Sequence, residues 1–285
     1  MIEHPITTSI SSSRPLDNLR KQYELEKEMA NELRDASPTV RKDLYSQCYD
    51  RLFREIPDHP QVRRKSDPSF RSAQVEQQVR RLRFFLSPEM TYLEVGAGDC
   101  AVAMAIAPYA DYAYAVDISR EIAPESDRPS NFAFRMSDGT TMPVEDASID
   151  FAYSNQLIEH LHPDDAVSQM NDIHRALKKG GIYYLITPSL LTGPHDVSKF
   201  FGDVAAGLHL QEYTHRTIAK LCTDSGFDKV RFFFTLRQSR PIFLPNRVFF
   251  MLDSILNGLS TKARRSIGNL PLIRNIIDIH AVAYK

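Results

Sequence analysis

The sequence predicts an α/β protein whose doubly wound sheet is mostly parallel and seven-stranded, preceded by a helical cap. From Pro88 onwards, apolar segments of strand length alternate with helical segments, as in parallel sheets whose strands are joined by crossover helices. Before Pro88 only helical patterns occur. A glycine pair, Gly96 and Gly98, follows the first predicted strand, at the turn where such sheets bind their ligands.

The overall composition is that of an ordinary globular protein. The 285 residues are 42% hydrophobic and 25% charged, and 35 basic residues nearly balance 36 acidic ones. Because non-specific nucleic-acid binding needs a surplus of positive charge, this balance argues against a general polyanion-binding protein. The three cysteines are far apart in the sequence, which disfavours a disulfide framework or a structural zinc site and fits a reducing, cytoplasmic location.

The N-terminal part is predicted to contain a tail and three helices. Residues 1–16 are rich in Ser, Thr and Pro, lack the apolar segment of a secretory signal and are expected to be a disordered tail. Residues 17–86 form the helical cap, with helices at Asp17–Arg34, from Ser37-Pro38 onwards, and at about Phe70–Leu86. The second helix carries apolar residues at helical spacing: Val40, Leu44, Cys48, Leu52 and Ile56.

Residues 87–285 are predicted to form one domain that contains the whole sheet. A helical insertion at about 240–275, with its main helix at about Leu244–Ala263, separates the sixth strand from the last. The last strand is expected in the sequence IHAVAYK. The first six strands are placed at Tyr92–Val95, Tyr112–Val116, Phe132–Met136, Ile149–Tyr153, Ile182–Ile186 and Val230–Phe234.

Acidic residues accompany the glycine loop in a pattern typical of nucleoside binding. Glycines at a strand-to-helix turn let the backbone approach a ligand closely, and the helix N-terminus offers free N–H groups. Glu94 precedes the loop, and Asp117 ends the second strand, where a carboxylate can bind a ribose diol. Asp138 follows the third strand, where it could accept a hydrogen bond from an adenine amino group. The combination favours a ligand-binding loop over a plain turn.

These motifs resemble those of the class I S-adenosylmethionine-dependent methyltransferases over roughly residues 85–234. The family's acid-x-Gly-x-Gly loop is similar to EVGAG at residues 94–98, and its acids after the next two strands are similar to Asp117 and Asp138. The sequences IDFAYSNQLIEHLHPDD and LKKGGIYYLITP resemble its fourth strand and its turn into the fifth. Cys100 departs from the pattern, because many members carry a third glycine there. The resemblance implies a Rossmann-like fold, S-adenosylmethionine as cofactor and in-line methyl transfer.

The resemblance also implies roles for individual residues at the cofactor site. Glu94 would order the loop and contact the amino end of the methionine moiety, and Asp117 would bind the ribose hydroxyls. Ile118 would flank the adenine, and Asp138 would bind the adenine amino group. The other implied cofactor residues lie beside the methionine moiety or the adenine: Gly96, Ala97, Gly98, Gly139, Asn155 and Gln156.

Two alternative functions stay open from the sequence. Gly96, Gly98 and Ala101 also fit a relaxed dinucleotide fingerprint with Asp117 near the expected distance, which would indicate an NAD(P)-dependent oxidoreductase. Glu94 argues against this alternative, because a carboxylate inside the loop would repel a pyrophosphate. The second alternative is a methyltransferase-like protein that binds the cofactor without turnover.

Two polar clusters after the fourth and fifth strands supply candidate catalytic residues. Methyl transfer needs an aligned acceptor and, where the acceptor is a hydroxyl, removal of its proton. His160 is one candidate base, although its cluster also fits a plain helix start at His162-Pro163. His195 is the other, with Asp196 beside it as a candidate substrate residue, although Asp196 also fits a loop cap.

A third cluster, HLQEYT, offers His209 and Tyr213 as candidate acceptor-pocket residues, although an ordinary helix entry is the favoured interpretation. No metal site is predicted from any cluster. The histidines do not fall at helical spacing with an acid, and the pair His160 and His162 has no further support in the sequence.

The acceptor is expected to be a small molecule, a sugar or a lipid-linked metabolite. The fourth strand ends in SNQL where many amino-group methyltransferases carry an Asn/Asp-Pro-Pro-aromatic motif, and there is no Pro-Cys nucleophile for cytosine chemistry. Basic patches at residues 63–65 and 80–83 are interpreted as solvated surface, since no aromatic platform accompanies them. Nucleic acid is therefore not expected as a partner.

The helical insertion has a broad apolar face flanked by basic residues. One interpretation is a helix that lies on a membrane surface or forms a wall for a lipid-linked acceptor. The favoured interpretation is packing on the N-terminal helices or a contact between two copies in a homodimer. The apolar residues of this face are Val248, Phe249, Met251, Leu252, Ile255, Leu256 and Leu259.

Overall fold

The computed structural model describes residues 14–59, 68–119, 127–235, 240–268 and 270–285. The predicted tail is therefore described only from residue 14 onwards, and the basic patch at residues 63–65 lies outside the described residues. The N-terminal helices are α1 (Leu16–Asp35), α2 (Pro38–Glu55) and α3 (Pro68–Leu82).

A single sheet runs through the rest of the described chain. Its strands are β1 (Thr91–Val95), β2 (Tyr112–Asp117), β3 (Phe132–Met136), β4 (Ile149–Asn155), β5 (Leu177–Thr187), β6 (Lys229–Phe234), β7 (Ile242–Phe243) and β8 (Ile279–Tyr284). The helices between them are α4 (Ala101–Ile106), α5 (Pro163–Ala176), α6 (His215–Asp224), α7 (Asn246–Asn257), α8 (Thr261–Gly268) and α9 (Pro271–Ile277).

The strand order confirms the predicted doubly wound, mostly parallel sheet. The order is β3-β2-β1-β4-β5-β8-β6-β7, with parallel pairing from β3 through to β5. The predicted last strand, β8, lies between β5 and β6 and runs antiparallel to both. The structure has one strand more than predicted, because the two-residue β7 adds to the edge of β6.

Both faces of the sheet are buried, as expected for strands that are apolar throughout. One face packs against α2, α5 and α6, and residues such as Leu93, Ile173 and Phe232 form its core. The other face packs against α3 and α4 through residues such as Tyr92 and Phe151. Of the apolar residues at helical spacing in this region, Cys48, Leu52 and Ile56 are buried, whereas Val40 is 55% exposed in the first turn of α2.

The helical insertion is confirmed, but its packing differs from the favoured expectation. The buried face of α7 lies against β6 and α6 rather than on the N-terminal helices, with Phe249 close to Phe232 and His215. His215 pairs with the buried Asp253 of α7, at 2.9 Å between Nδ1 and Oδ1. No helix in the described ranges is both long and apolar enough to cross a membrane.

Candidate functional site

A cavity of about 860 Å³ opens at the carboxyl ends of β1, β2 and β4. Helices α2 and α3 form its outer wall, so the N-terminal helices do cover this edge of the sheet. This is where open α/β sheets bind their ligands. The predicted cofactor residues that line the cavity are Glu94, Gly96, Ala97, Gly98, Asp117, Ile118, Gly139, Asn155 and Gln156.

The glycine loop is held in a conformation that ordinary side chains rarely adopt. Gly96 has φ +71°, and a Cβ there would lie 2.8 Å from Cδ1 of Leu157. Gly98 has φ +54°, and no atom of the described protein lies within 4 Å of where its Cβ would be. The loop therefore needs glycine at both positions for its backbone, and it leaves open space beside Gly98.

Asp117 connects this loop to the second strand. Its Oδ2 accepts a hydrogen bond of 2.7 Å from the Gly98 amide, and its Oδ1 accepts one of 3.1 Å from the Ser119 amide. A carboxylate oxygen can accept more than one hydrogen bond, so both oxygens can still accept from a diol. The residue is thus fixed in orientation at the wall of the cavity.

Glu94 is a buried carboxyl group with one oxygen unsatisfied. It is 6% exposed, and Oε2 has no hydrogen-bond partner among the described residues. Burial raises the pKa of Glu94 to about 8, an effect that the backbone amide of Ala103 opposes. An ammonium group would satisfy the free oxygen and favour the charged form, so this position suits the amino end of the methionine moiety.

Gly139, Ile118 and Tyr45 lie close together in the cavity wall. Gly139 has φ +90°, and a Cβ there would lie 3.6 Å from both the side chain of Ile118 and the ring of Tyr45. One apolar and one aromatic side chain therefore lie beside Gly139 in the cavity lining. This arrangement fits the adenine expected beside Ile118 and Gly139.

Asp138 does not line the cavity, in contrast to the role implied for it. Its Oδ1 accepts hydrogen bonds from the backbone amides of Thr140 and Thr141, and its carboxylate pairs with Lys42 of α2. Burial alone would raise the pKa of Asp138, but the hydrogen bonds from Lys42 and the two threonines hold it below its ordinary value. The carboxylate stabilises the turn after β3 and its contact with α2, and it is therefore not assigned to the adenine.

Asn155 and Gln156 continue the lining at the end of β4. The Asn155 amide donates to Oε1 of Gln78 in α3 over 3.3 Å, and Tyr153 donates to the same oxygen over 2.9 Å. The backbone of Gln156 has φ +55°, and its amide donates to the Ile186 carbonyl. Helix α3 is thereby tied to the end of β4 at the cavity.

His160 also lines the cavity, next to Tyr49 of α2. Its Nδ1 lies 2.9 Å from the carbonyl oxygen of Leu208 and donates to it, which leaves Nε2 with a lone pair. Burial lowers the pKa of His160 to about 3, and the neighbouring His209 adds to the effect. The ring is therefore neutral and packs edge-on against Tyr49, with ring centroids 6.0 Å apart.

Three aromatic residues of α2 form much of the outer wall, and the sequence argument missed them. Tyr45, Tyr49 and Phe53 line the cavity. They are spaced four residues apart and therefore lie along one side of α2. This spacing is visible in the sequence. The regularly spaced apolar residues from Leu44 to Ile56, however, indicate only the side of the helix that faces the core.

His195 and Asp196 are not among the residues that line the cavity. His195 has its Nε2 2.9 Å from the Ser189 carbonyl and 3.1 Å from Thr192 Oγ1, and burial lowers its pKa. Asp196 accepts hydrogen bonds from the amides of Ser198 and Gly207. Both side chains thus stabilise the loop after β5, as the simpler interpretation of Asp196 expected.

His209 and Tyr213 also lie outside the cavity lining. Tyr213 is buried beside β5, where its backbone pairs with Ser189. His209 lies behind His160, with ring centroids 4.8 Å apart, and its Nδ1 is 2.9 Å from Oε1 of Glu212. Burial alone would lower the pKa of His209, but the hydrogen bond to Glu212 raises it.

The structure brings Glu159 to the two histidines, which the sequence argument did not foresee. Glu159 is fully buried, and Thr187 donates to its Oε2 over 3.0 Å. One potential ligand atom from each of Glu159, His160 and His209 lies within 4.8 Å of the other two. The two histidines are 49 positions apart in the sequence, so local spacing gives no sign of this cluster.

Comparison with known proteins agrees with this geometry. Residues 93–185 match the family model described as methyltransferase domain. This segment contains the glycine loop, Asp117 and His160. No curated protein matches the sequence.

Several solved structures share the fold at low sequence identity. A methyltransferase of Haloferax volcanii, solved with the Trm112 methyltransferase activator, is 14% identical, with a TM-score of 0.52 over 76% of this chain and 94% of that one. Phosphoethanolamine N-methyltransferase 1 of Haemonchus contortus, solved with phosphoethanolamine and S-adenosylhomocysteine, is 15% identical, with a TM-score of 0.52 over 87% of this chain and 50% of that one. At these identities the likeness concerns the fold.

Proposed function

We propose that the chain is a class I S-adenosylmethionine-dependent methyltransferase and that it methylates a small molecule held between α2 and the loop after β4. The cofactor supplies a methyl group on a sulfonium, which is already activated for in-line displacement. The protein's own task is then chiefly to bind and align the two reactants.

The observation that carries this proposal is the continuity of the cavity. One space of about 860 Å³ joins Glu94, the glycine loop and Asp117 to the aromatic residues of α2 and to His160. Ligand sites for drug-sized molecules range over roughly 300–1,000 Å³, so the cavity lies toward the upper end of this range. That size supports a cofactor together with a small acceptor.

The cofactor side of the cavity is assigned from the contacts available there. Asp117 holds the ribose hydroxyls with its two fixed oxygens, and Glu94 holds the amino group of the methionine moiety with its unsatisfied Oε2. Tyr45 and Ile118 enclose the adenine next to Gly139. We assign the part of the cavity beside Tyr49 and His160 to the acceptor.

The acceptor side is aromatic and partly enclosed. Tyr49 lies edge-on to His160, and Phe53 lies next to Tyr49 along α2, with ring centroids 6.1 Å apart. Such a wall suits the face of a sugar or the apolar part of a small metabolite. A small molecule, a sugar or a lipid-linked metabolite therefore stays the acceptor class that we propose, and His160 is the polar group that meets it.

We propose a cytoplasmic location because the cysteines are free rather than paired in disulfides. Cys48, Cys100 and Cys222 are all buried and free, which supports a reducing compartment.

Calorimetric titration with S-adenosylhomocysteine and, separately, with NAD tests the cofactor assignment. We expect micromolar binding of S-adenosylhomocysteine and no binding of NAD. Binding of NAD alone would overturn the proposal in favour of an oxidoreductase.

Transfer of a radiolabelled methyl group from S-adenosylmethionine to pools of sugars, lipid-linked metabolites and other small molecules tests turnover. With an accepted pool, His160→Gln should lower turnover and leave S-adenosylhomocysteine affinity unchanged. His195→Gln is the matched control and should leave turnover near that of the unsubstituted protein, since His195 does not line the cavity. Equal loss in both variants would contradict the placement of the acceptor.

A further inference from the structure

Glu159 carries a buried oxygen that the protein leaves without a partner. Its side chain is 0% exposed, Thr187 donates only to Oε2, and Oε1 has no hydrogen-bond partner within the described ranges. An unsatisfied carboxylate oxygen in the interior is costly unless a ligand completes it. Glu159 also has potential ligand atoms of His160 and His209 within 4.8 Å.

Both histidines are oriented by hydrogen bonds at Nδ1. His160 donates from Nδ1 to the Leu208 carbonyl over 2.9 Å, and His209 has its Nδ1 2.9 Å from Oε1 of Glu212. In each ring Nε2 is left for another partner. Histidines that bind metal ions are held in the same way, by a carbonyl or a carboxylate on the nitrogen that does not bind the ion.

The surroundings hold several buried carboxyl groups, and burial raises the pKa of Glu26 and of Glu159 to about 7. Four carboxyl groups are at most 8% exposed and interact electrostatically with His209: Glu26, Glu159, Asp196 and Glu212. In the described part of the chain, their only ion-pair partners are histidines, and none of them pairs with a lysine or arginine. A divalent cation would favour the ionised form of these carboxyl groups and offset two of their charges, whereas a single imidazolium could offset only one.

We propose that Glu159, His160 and His209 bind a divalent transition-metal ion, with zinc as the best-matched ion. Two histidines and one glutamate are a ligand set that zinc takes in sites with a further open position. Because His160 also lines the cavity, the ion would lie at the cavity wall near the proposed acceptor end. Its binding does not depend on the proposed methyl transfer.

Calorimetric titration of the chelator-stripped, full-length protein with Zn²⁺ alone tests this inference. We expect one ion per chain. Glu159→Gln and His209→Gln should each weaken binding by at least about 100-fold, since each removes a ligand, and Glu212→Gln should weaken it by roughly 10- to 100-fold through His209. His162→Gln is the matched control, because His162 shares the loop of His160 but lies outside the cluster, and it should bind zinc as the unsubstituted protein does.

Titration of the same variants with S-adenosylhomocysteine shows whether each of them is folded. A variant that binds S-adenosylhomocysteine normally but has lost zinc supports the site. Absence of zinc binding in the unsubstituted protein, or zinc binding that survives both Glu159→Gln and His209→Gln, would overturn it. Zinc binding without S-adenosylhomocysteine binding would instead contradict the proposed function and leave the metal site standing.

Discussion

Arg41 of α2 forms a two-point ion pair with Asp165 in the first turn of α5. The distances are 2.6 Å from Nε to Oδ2 and 2.9 Å from Nη2 to Oδ1, and both side chains are at most 5% exposed. Tyr45 donates to the same carboxylate over 2.7 Å and accepts from the His162 amide over 2.8 Å. This contact fixes the N-terminal helices over the cofactor edge of the sheet.

Arg41→Ala should destabilise the protein by about 3–5 kcal/mol, because it leaves a buried carboxylate without its partner. Urea unfolding measures the change, and S-adenosylhomocysteine affinity should fall as well, since Tyr45 loses its anchor. Arg51→Ala is the control, since its ion pairs with Glu28, Glu32 and Glu55 are exposed and should contribute less than about 1 kcal/mol each. An Arg41 variant as stable as the Arg51 variant would refute this role.

Because of the same ion pair, we expect the free energy of unfolding to depend on pH in the acid range. Burial alone would raise the pKa of Asp165, but its hydrogen bonds with Arg41 and Tyr45 hold it below its ordinary value. A lowered pKa in the folded state means that the stabilisation is present above the pKa of the unfolded chain, near 4, and is lost as the pH falls below it. Unfolding free energies measured down the acid range should therefore fall less steeply for Asp165→Asn.

Asp117 and Asp138 should differ sharply in their effect on cofactor binding. Asp117→Ala removes two fixed acceptors from the cavity wall and should weaken S-adenosylhomocysteine binding by about 2–3 kcal/mol, or roughly 30- to 150-fold. Asp138→Ala should change the affinity little, because that carboxylate is turned toward Thr140 and Lys42. Calorimetric titration of both variants with S-adenosylhomocysteine measures the two affinities. A larger loss of affinity in Asp138→Ala than in Asp117→Ala would restore Asp138 as the adenine-binding acid.

Alanine substitutions at the two loop glycines should distinguish the cost of backbone strain from the loss of space for the cofactor. Gly98→Ala should cost about 1–2 kcal/mol of stability for its left-handed backbone and block the cofactor with its methyl group. Gly96→Ala should cost more stability, since its Cβ would lie 2.8 Å from Leu157. Thermal or urea unfolding measures both, and adding Leu157→Ala to the Gly96 variant should recover part of the loss. A Gly98 variant with unchanged affinity would show that the cofactor does not approach the loop there.

Glu94 should make cofactor binding depend on pH. Because burial raises its pKa to about 8, Glu94 is protonated near neutrality in the free protein, and a bound ammonium group would favour its ionised form. Binding of S-adenosylhomocysteine should then release a proton, and affinity should rise between about pH 6 and pH 8 by at most about tenfold per unit.

Calorimetry in buffers of different ionisation enthalpy detects this released proton, and Glu94→Gln should abolish it. The cofactor-free protein should also lose stability as the pH rises from 4.5 to about 8, because the unfolded chain ionises Glu94 more readily than the folded protein does. An affinity independent of pH would place the ammonium group elsewhere.

Features encoded by nearby residues could be predicted, whereas features made by distant ones could not. Seven of the eight strands and the glycine loop were predicted, since periodicity and the Gly96–Gly98 spacing are local signals, whereas the two-residue β7 was not. The orientation of Asp138 was not, because it depends on Lys42, 96 positions away, and on the turn it makes with Thr140. Likewise, only the folded chain reveals that His209 lies behind His160. The membrane contact and the homodimer stay predictions.

The place of β8 within the sheet has a consequence for how the protein is made. During synthesis, the long strand β5 emerges from the ribosome about 90 residues before β8, its antiparallel neighbour. Strand β6 joins the sheet only through β8, so it cannot cover the edge of β5 before β8 is made. The apolar edge of β5 is therefore bare in every nascent chain that lacks β8, and bare edges recruit strands from other molecules. Interrupted translation before residue 279 should accordingly yield aggregates rather than a smaller folded protein.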